Sequence, residues 1–142
     1  MGPAMTEPPG EDDLVTLVSD FLRLVEARDL EAAERYLAAD ATITFPGGRR
    51  FTSLTEQVAS SAGRFIGVTK TFDRFDLVSG STTDDPTDDE SVVYVFGTLS
   101  GQALDGTRFD GIRFIDRFEV QGEKIVMQEV WNDLAVCSTQ SN

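Results

Sequence analysis

Asp116 is the residue whose setting most needs a chemical account. It falls among Ile112, Phe114 and Phe118 at strand spacing. Those residues belong to a run from Asp105 to Leu134 that reads as two long strands joined by a turn at Gln121-Gly122. A carboxylate on an apolar strand face is costly to bury, because desolvation disfavours its charged form. A carboxyl kept there is suited to carrying a proton as a general acid or base. The competing reading is structural, with Asp116 paired to a nearby arginine or hydrogen-bonded to Asn132. Strand alternation sends Asp110, Ile112, Phe114 and Phe118 to the side of Asp116, and Phe109 and Ile115 to the other.

What the chain lacks narrows the chemistry further. It has no histidine and a single cysteine, Cys137. Ser-His-Asp and Cys-His catalysis are therefore excluded, as are the usual zinc sites. Cys137 sits in the polar stretch V-C-S-T-Q-S-N and reads as a free surface thiol. No metal and no cofactor is expected. The acidic segment from Ser81 to Glu90 contains D-D-P-T-D-D, without the glycine and distal glutamate of a helix–loop–helix calcium site, and reads as a solvated hairpin tip. A net charge of −13 argues against nucleic acid and against an anionic membrane surface as partners. No apolar run reaches the ~20 residues that span a bilayer, and no signal peptide precedes the first helix, so the expectation is a soluble, cytoplasmic protein.

The elements that must position Asp116 follow from periodicity. Asp13 to Arg28 places Leu14, Leu17, Val18, Phe21 and Val25 on one helical face, with acids at Glu11, Asp12 and Asp13 near its N-terminus. Asp29 is a plausible N-cap for a second helix over L-E-A-A-E-R-Y-L-A-A. A-T-I-T-F, residues 41–45, alternates as a short strand and stops at Pro46-Gly47-Gly48. Ser53-Leu54-Thr55-Glu56 has capping-box spacing and opens a third helix that runs toward Phe65. Four long strands follow over Val68–Val78, Val92–Leu104, Arg108–Val120 and Lys124–Asp133, the later turns being Asp105-Gly106 and Gln121-Gly122. Helices first and then an antiparallel meander predict an α+β fold, a cone-shaped curved sheet wrapped around N-terminal helices. One domain is expected over residues 12–135, after a tail of residues 1–11 and before a tail of residues 136–142. Met1 to Ala4 reads as a cloning remnant ahead of a start at Met5.

The stretches F-L-R-L-V-E-A-R-D-L-E-A-A-E-R-Y-L-A-A-D-A-T-I-T-F-P, G-I-R-F-I-D-R-F-E and K-I-V-M-Q-E-V-W-N-D-L resemble the nuclear transport factor 2-like superfamily. Within it they resemble most the SnoaL-like branch, named for a polyketide cyclase. The resemblance spans Asp12 to Ala135 and is specific for fold rather than function. In ketosteroid isomerase a neutral aspartic acid and a tyrosine hold the oxyanion while a second aspartate moves the proton. Asp116 matches the neutral acid, Phe21 stands at the tyrosine position and Phe45 at the second aspartate. The Asp-Arg-Asp cluster of limonene-epoxide hydrolase corresponds to Gly97, Leu99 and Val130. Neither machinery is complete. SnoaL-type cyclisation asks for one aspartate acting on an activated substrate, a role Asp116 can fill.

The resemblance also implies that Val126, Gln128, Val130 and Asn132 face the hollow. Phe21, Ile43, Phe45 and Leu99 would then close it together with Ile112, Phe114 and Phe118. Such a cavity suits a hydrophobic small molecule, with Asn132 and Gln128 orienting a carbonyl or hydroxyl. Tyr94, Phe96, Ile115, Met127 and Trp131 would lie on the outer face, where an apolar patch implies a homodimer with Trp131 as anchor; the alternative is a reversed parity with Trp131 in the pocket. Two functions stand open at this point. One is cofactor-free isomerisation or cyclisation of a hydrophobic carbonyl compound, and the other is a non-catalytic binding or dimerisation module.

Overall fold

The computed structural model describes residues 11–62, 65–79 and 90–133. The N-terminal tail, most of the acidic segment, the C-terminal tail and Cys137 lie outside the described residues. The first helix, α1 (Glu11–Glu26), begins with Glu11, which the sequence had assigned to the tail. Its buried face is Leu14, Val18, Phe21 and Leu22. The helix ends in a Schellman motif, in which Arg28 takes a left-handed φ of 64°. The Arg28 amide donates to the Val25 carbonyl at 3.0 Å and the Asp29 amide to the Leu24 carbonyl at 2.9 Å. Asp29 then caps the next helix by accepting from the Ala32 amide.

That second helix, α2 (Leu30–Glu34), is shorter than its sequence suggests. The stretch expected to continue it from Leu37 is instead the start of strand β1 (Leu37–Phe45), which runs parallel to the last strand with Leu37 opposite Ile125. The Ile125 amide donates to the Tyr36 carbonyl at 2.7 Å. Sheet pairing has overridden local helix propensity, which is worth only about 0.7 kcal/mol per residue or less. Pro46-Gly47-Gly48 does not simply stop β1 but turns it into a hairpin with β2 (Arg49–Phe51), Gly47 and Gly48 both having positive φ. The helix α3 (Leu54–Ala62) opens with the expected cap, Ser53 Oγ accepting from the Glu56 amide. Phe65 belongs to the following strand rather than to the face of α3.

The four long strands are β3 (Phe65–Ser79), β4 (Glu90–Ala103), β5 (Arg108–Gln121) and β6 (Lys124–Asn132). They form a six-stranded sheet in the order β2-β1-β6-β5-β4-β3, antiparallel except for β1 against β6. Its concave side carries the core. Phe21 of α1 meets Phe118 of β5 edge-on at 6.0 Å, and Val93, Val95, Leu99, Phe114 and Ile125 fill the hollow around them. Full burial of such a side chain is worth ~1.5–3 kcal/mol.

The curl depends on two glycines of β4. A Cβ on Gly97 would stand 1.9 Å from the Thr71 carbonyl oxygen, and one on Gly101 would stand 2.2 Å from that of Gly67. No other residue lets β3 bend so closely over β4. Register breaks sharpen the bend between Phe72 and Arg74 on β3 and between Leu99 and Gly101 on β4. Opposite the second break, Gly111 has a φ of 67°. The extra residue there reverses the alternation of β5. Phe109 is therefore buried and Asp110 exposed, opposite to the sides that simple parity assigns them.

Candidate functional site around Asp116

Asp116 lies midway along β5, with Val95 of β4 and Val130 of β6 as its cross-strand neighbours. It is completely buried on the concave side. Its ion-pair partner is Lys70, where the sequence suggests an arginine or, as a hydrogen-bond partner, Asn132. Lys70 sits on β3, with β4 lying between it and Asp116. Its Nζ stands 2.5 Å from Asp116 Oδ2 and 4.7 Å from the centre of the Phe114 ring. The signal was present in V-T-K-T-F, where alternation puts Lys70 on the same face as Val68 and Phe72. A lone cation on that stripe needs a buried anion, and Asp116 supplies it.

Lys70 is held from behind. As the edge strand, β3 leaves outward backbone groups without a strand partner. At Lys70 the last turn of α1 takes the place of that partner. Glu26 Oε2 accepts from the Lys70 amide at 2.8 Å, and Arg23 Nη1 donates to the Lys70 carbonyl at 2.9 Å. Arg23 and Glu26 are themselves bridged at 3.0 Å, and the Arg23 guanidinium lies 4.1 Å from the centre of the Phe72 ring.

The electrostatics of Asp116 are dominated by dehydration. Burial pushes its carboxyl above the ordinary value of 3.8, while the Lys70 charge, the Lys70 hydrogen bond and the Gln128 side chain pull the other way without winning. Gln128 is near enough to act on the carboxyl, yet Oδ1 has no hydrogen bond among the described residues. The missing bond costs on the order of 1–3 kcal/mol. Solvent reaches the pair only on the lysine side, since the Lys70 side chain is 16% exposed and that of Asp116 is 0% exposed.

The other expected lining residues divide by depth. Phe21, Ile43, Leu99, Phe114, Phe118 and Val130 are buried on the concave side, as is Gln128. Ile112 is partly buried against them. Asn132 is half-buried and pairs in register with Phe114. Phe45 is half-buried at the hairpin end, where it meets Phe51 edge-on at 5.8 Å. Val126 is only half-buried, because a register break on β6 brings Ile125 inward instead. On the convex side, Phe96, Ile115 and Trp131 stand in one cross-strand row, with Trp131 half exposed. An open groove of about 640 Å³ at the Gly67–Gly101 corner is bordered by Ser100, Gln102, Arg108 and Asp110 and includes neither Asp116 nor Lys70. Among the described residues no group of three or more His, Cys, Asp or Glu side chains could hold a metal ion, and no helix is long and apolar enough to cross a membrane.

Comparison with known proteins bears on this arrangement. The family model described as a SnoaL-like domain matches residues 18–128. No match was found among curated proteins. Among solved structures, an NTF2-like protein of unknown function from Burkholderia pseudomallei superposes with a TM-score of 0.69 at 18% identity, covering 88% of this chain and 94% of its own. TerC, co-crystallised with polyporic acid, gives a TM-score of 0.69 at 17% identity, covering 88% and 95%. A putative SnoaL-like polyketide cyclase from Shewanella putrefaciens gives 0.66 at 9% identity, covering 99% and 97%. Identities this low speak for the fold alone.

Proposed function

The chain belongs to the SnoaL-like domain family, and from that premise we propose that it moves a proton on a hydrophobic carbonyl compound without a cofactor, Asp116 being the acid/base. The observation that carries this reading is the condition of Asp116: fully buried, with a raised proton affinity, and with Oδ1 lacking a partner among the described residues. A buried polar atom left unsatisfied is uncommon in folded proteins and needs a reason. A carboxyl whose proton affinity is raised can take a proton from carbon beside a carbonyl and return it elsewhere on the same molecule, which is isomerisation, or on a new bond, which is cyclisation. Gln128 and Asn132, two residues to either side of Val130 on β6, would orient the carbonyl. The names of the structural neighbours, a putative polyketide cyclase and a protein crystallised with polyporic acid, are in keeping with a substrate of this kind.

A second reading, a binding module, is favoured by one feature. Phe21 and Phe45 stand where ketosteroid isomerase carries its tyrosine and second aspartate, leaving one carboxyl to do all the proton transfer. Exchange of the α-protons of 2-tetralone in heavy water, followed by NMR, separates the two. The catalytic reading expects wild-type protein to accelerate exchange and Asp116→Asn to slow it ~100-fold or more, with affinity for the ketone unchanged. Binding without accelerated exchange in the wild type leaves the module reading standing.

The same proposal extends to a homodimer through the convex face, where Phe96, Ile115 and Trp131 make an apolar row and Met127 adds to it further along β6. Light scattering of Trp131→Glu against wild type tests it: a shift from dimer to monomer is expected, and a wild type that is monomeric at all concentrations removes it.

A further inference from the structure

Resting on the acid/base reading of Asp116, we propose that Lys70 is the group that meets the substrate first, and that the site accordingly takes hydrophobic compounds bearing an acidic enol or phenol, which it binds as the oxyanion. Three features of the structure converge on Lys70. It is the member of the buried pair that reaches solvent, its side chain being 16% exposed against 0% for Asp116. Its ammonium is already within 4.7 Å of the Phe114 ring centre, so an aromatic or enolised ligand lying against that ring would bring its oxygen to the charge. Its backbone is fixed on both sides by Arg23 and Glu26 at 2.9 and 2.8 Å, so the amine is presented from a braced strand rather than a free edge.

The exchange is balanced within the pair. A neutral enol enters and its O–H bond breaks, the proton passing to the Asp116 carboxylate; an enol already ionised in solution enters with a proton taken up from solvent by Asp116. The resulting enolate takes the place of that carboxylate against the Lys70 ammonium. Charge is conserved, since lysine keeps its positive charge and the negative charge moves from Asp116 to the ligand. Asp116, now neutral, holds the proton that proton transfer to carbon requires. Raised proton affinity at Asp116 favours this direction of transfer. A neutral ketone with no acidic hydroxyl cannot draw on the ammonium.

Two bicyclic probes of similar size test this: 2-hydroxy-1,4-naphthoquinone, whose enol is acidic, and 2-tetralone, whose enol content is negligible. Affinities are read by titration calorimetry on the full chain. Wild type is expected to favour the hydroxyquinone. Lys70→Gln should lose ~10-fold or more of that affinity, the scale of a lost charge-assisted hydrogen bond, with 2-tetralone changing less than ~2-fold, within the error of independent single-site effects. Lys70→Arg, which keeps the cation, should retain much of the preference. Should Lys70→Gln fail to fold, the pair of changes Lys70→Met with Asp116→Leu removes both charges and should bind the two probes alike. Equal losses for both probes in Lys70→Gln, or an intact preference for the hydroxyquinone in Lys70→Gln or in the doubly changed protein, would overturn the role of Lys70 alone. Wild type that binds neither probe overturns both the pocket reading and this one, whereas wild type that binds both equally overturns only this one.

Discussion

The curved sheet carries charge on both faces and treats it in opposite ways. On the convex side Arg117 lies between Glu119 at 2.6 Å and Glu129 at 3.0 Å, with its guanidinium 6.0 Å from the Tyr94 ring. Partial burial works against that charge, yet Glu119 and Tyr94 hold the arginine above its usual range. Nearby, Arg74 lies 3.9 Å over Phe96 and is bridged to Asp76. Each member of this network keeps some water, and Arg117 has two carboxylate partners. On the concave side, among the described residues, there is one ion pair, Lys70–Asp116, with one oxygen of the acid unpartnered. The outer charges can be understood as solubility and as cover for apolar rings. Dehydration works against the inner pair, which is why function is sought there.

The contrast can be broken most sharply at Lys70. Lys70→Met leaves Asp116 buried without a counter-charge and should cost about 3–5 kcal/mol at neutral pH, measured by chemical denaturation. Adding Asp116→Leu should recover most of that loss, because an apolar pair suits the surrounding valines and phenylalanines. A cost for Lys70→Met no greater than that of a surface pair would remove the difference between the faces.

Next in size is the bend that brings the pair together. Gly97→Ala drives a Cβ into the Thr71 carbonyl oxygen, 1.9 Å away. Overpacking of this kind costs about 1–3 kcal/mol or more, and thermal unfolding should show it. It should also weaken binding of the hydroxyquinone more than that of 2-tetralone by displacing Lys70.

A pH series sharpens the electrostatic side. The folded-state proton affinity of Asp116 lies above the unfolded value of 3.8, so its burial carries no penalty below that value and a growing one as pH rises toward the folded-state pKa. The stability of wild type relative to Asp116→Asn should therefore fall as pH rises from about 3.8 and then level off. A difference that rises over the same range would mean that the ion pair outweighs dehydration. The smallest effect is expected on the convex face, where Arg117→Met should change stability by about 1 kcal/mol or less.

Much of this molecule is legible from residue patterns because its long elements are strongly periodic. The helical face of α1, both N-caps, the four long strands and the burial of Asp116 follow from spacing alone. What was hidden depends on contacts between distant segments. Residues 37–39 have helical propensity, and only β6 pairing with β1 makes them a strand. One inserted residue beside Gly111 turns Phe109 in and Asp110 out, and alternation has no means of announcing it. Lys70 was in view as a cation on an apolar stripe, but its identity as the partner of Asp116 depends on how tightly β3 bends over Gly97.

The most direct measurement is the titration of Asp116 itself, followed through its labelled carboxyl carbon by NMR in the free protein. The carboxyl should titrate clearly above the ordinary aspartate value of 3.8, and its midpoint should move when Lys70 is replaced by glutamine. A midpoint at or below that value would mean that Asp116 is an ordinary ion-paired carboxylate, without the raised proton affinity that the chemistry requires.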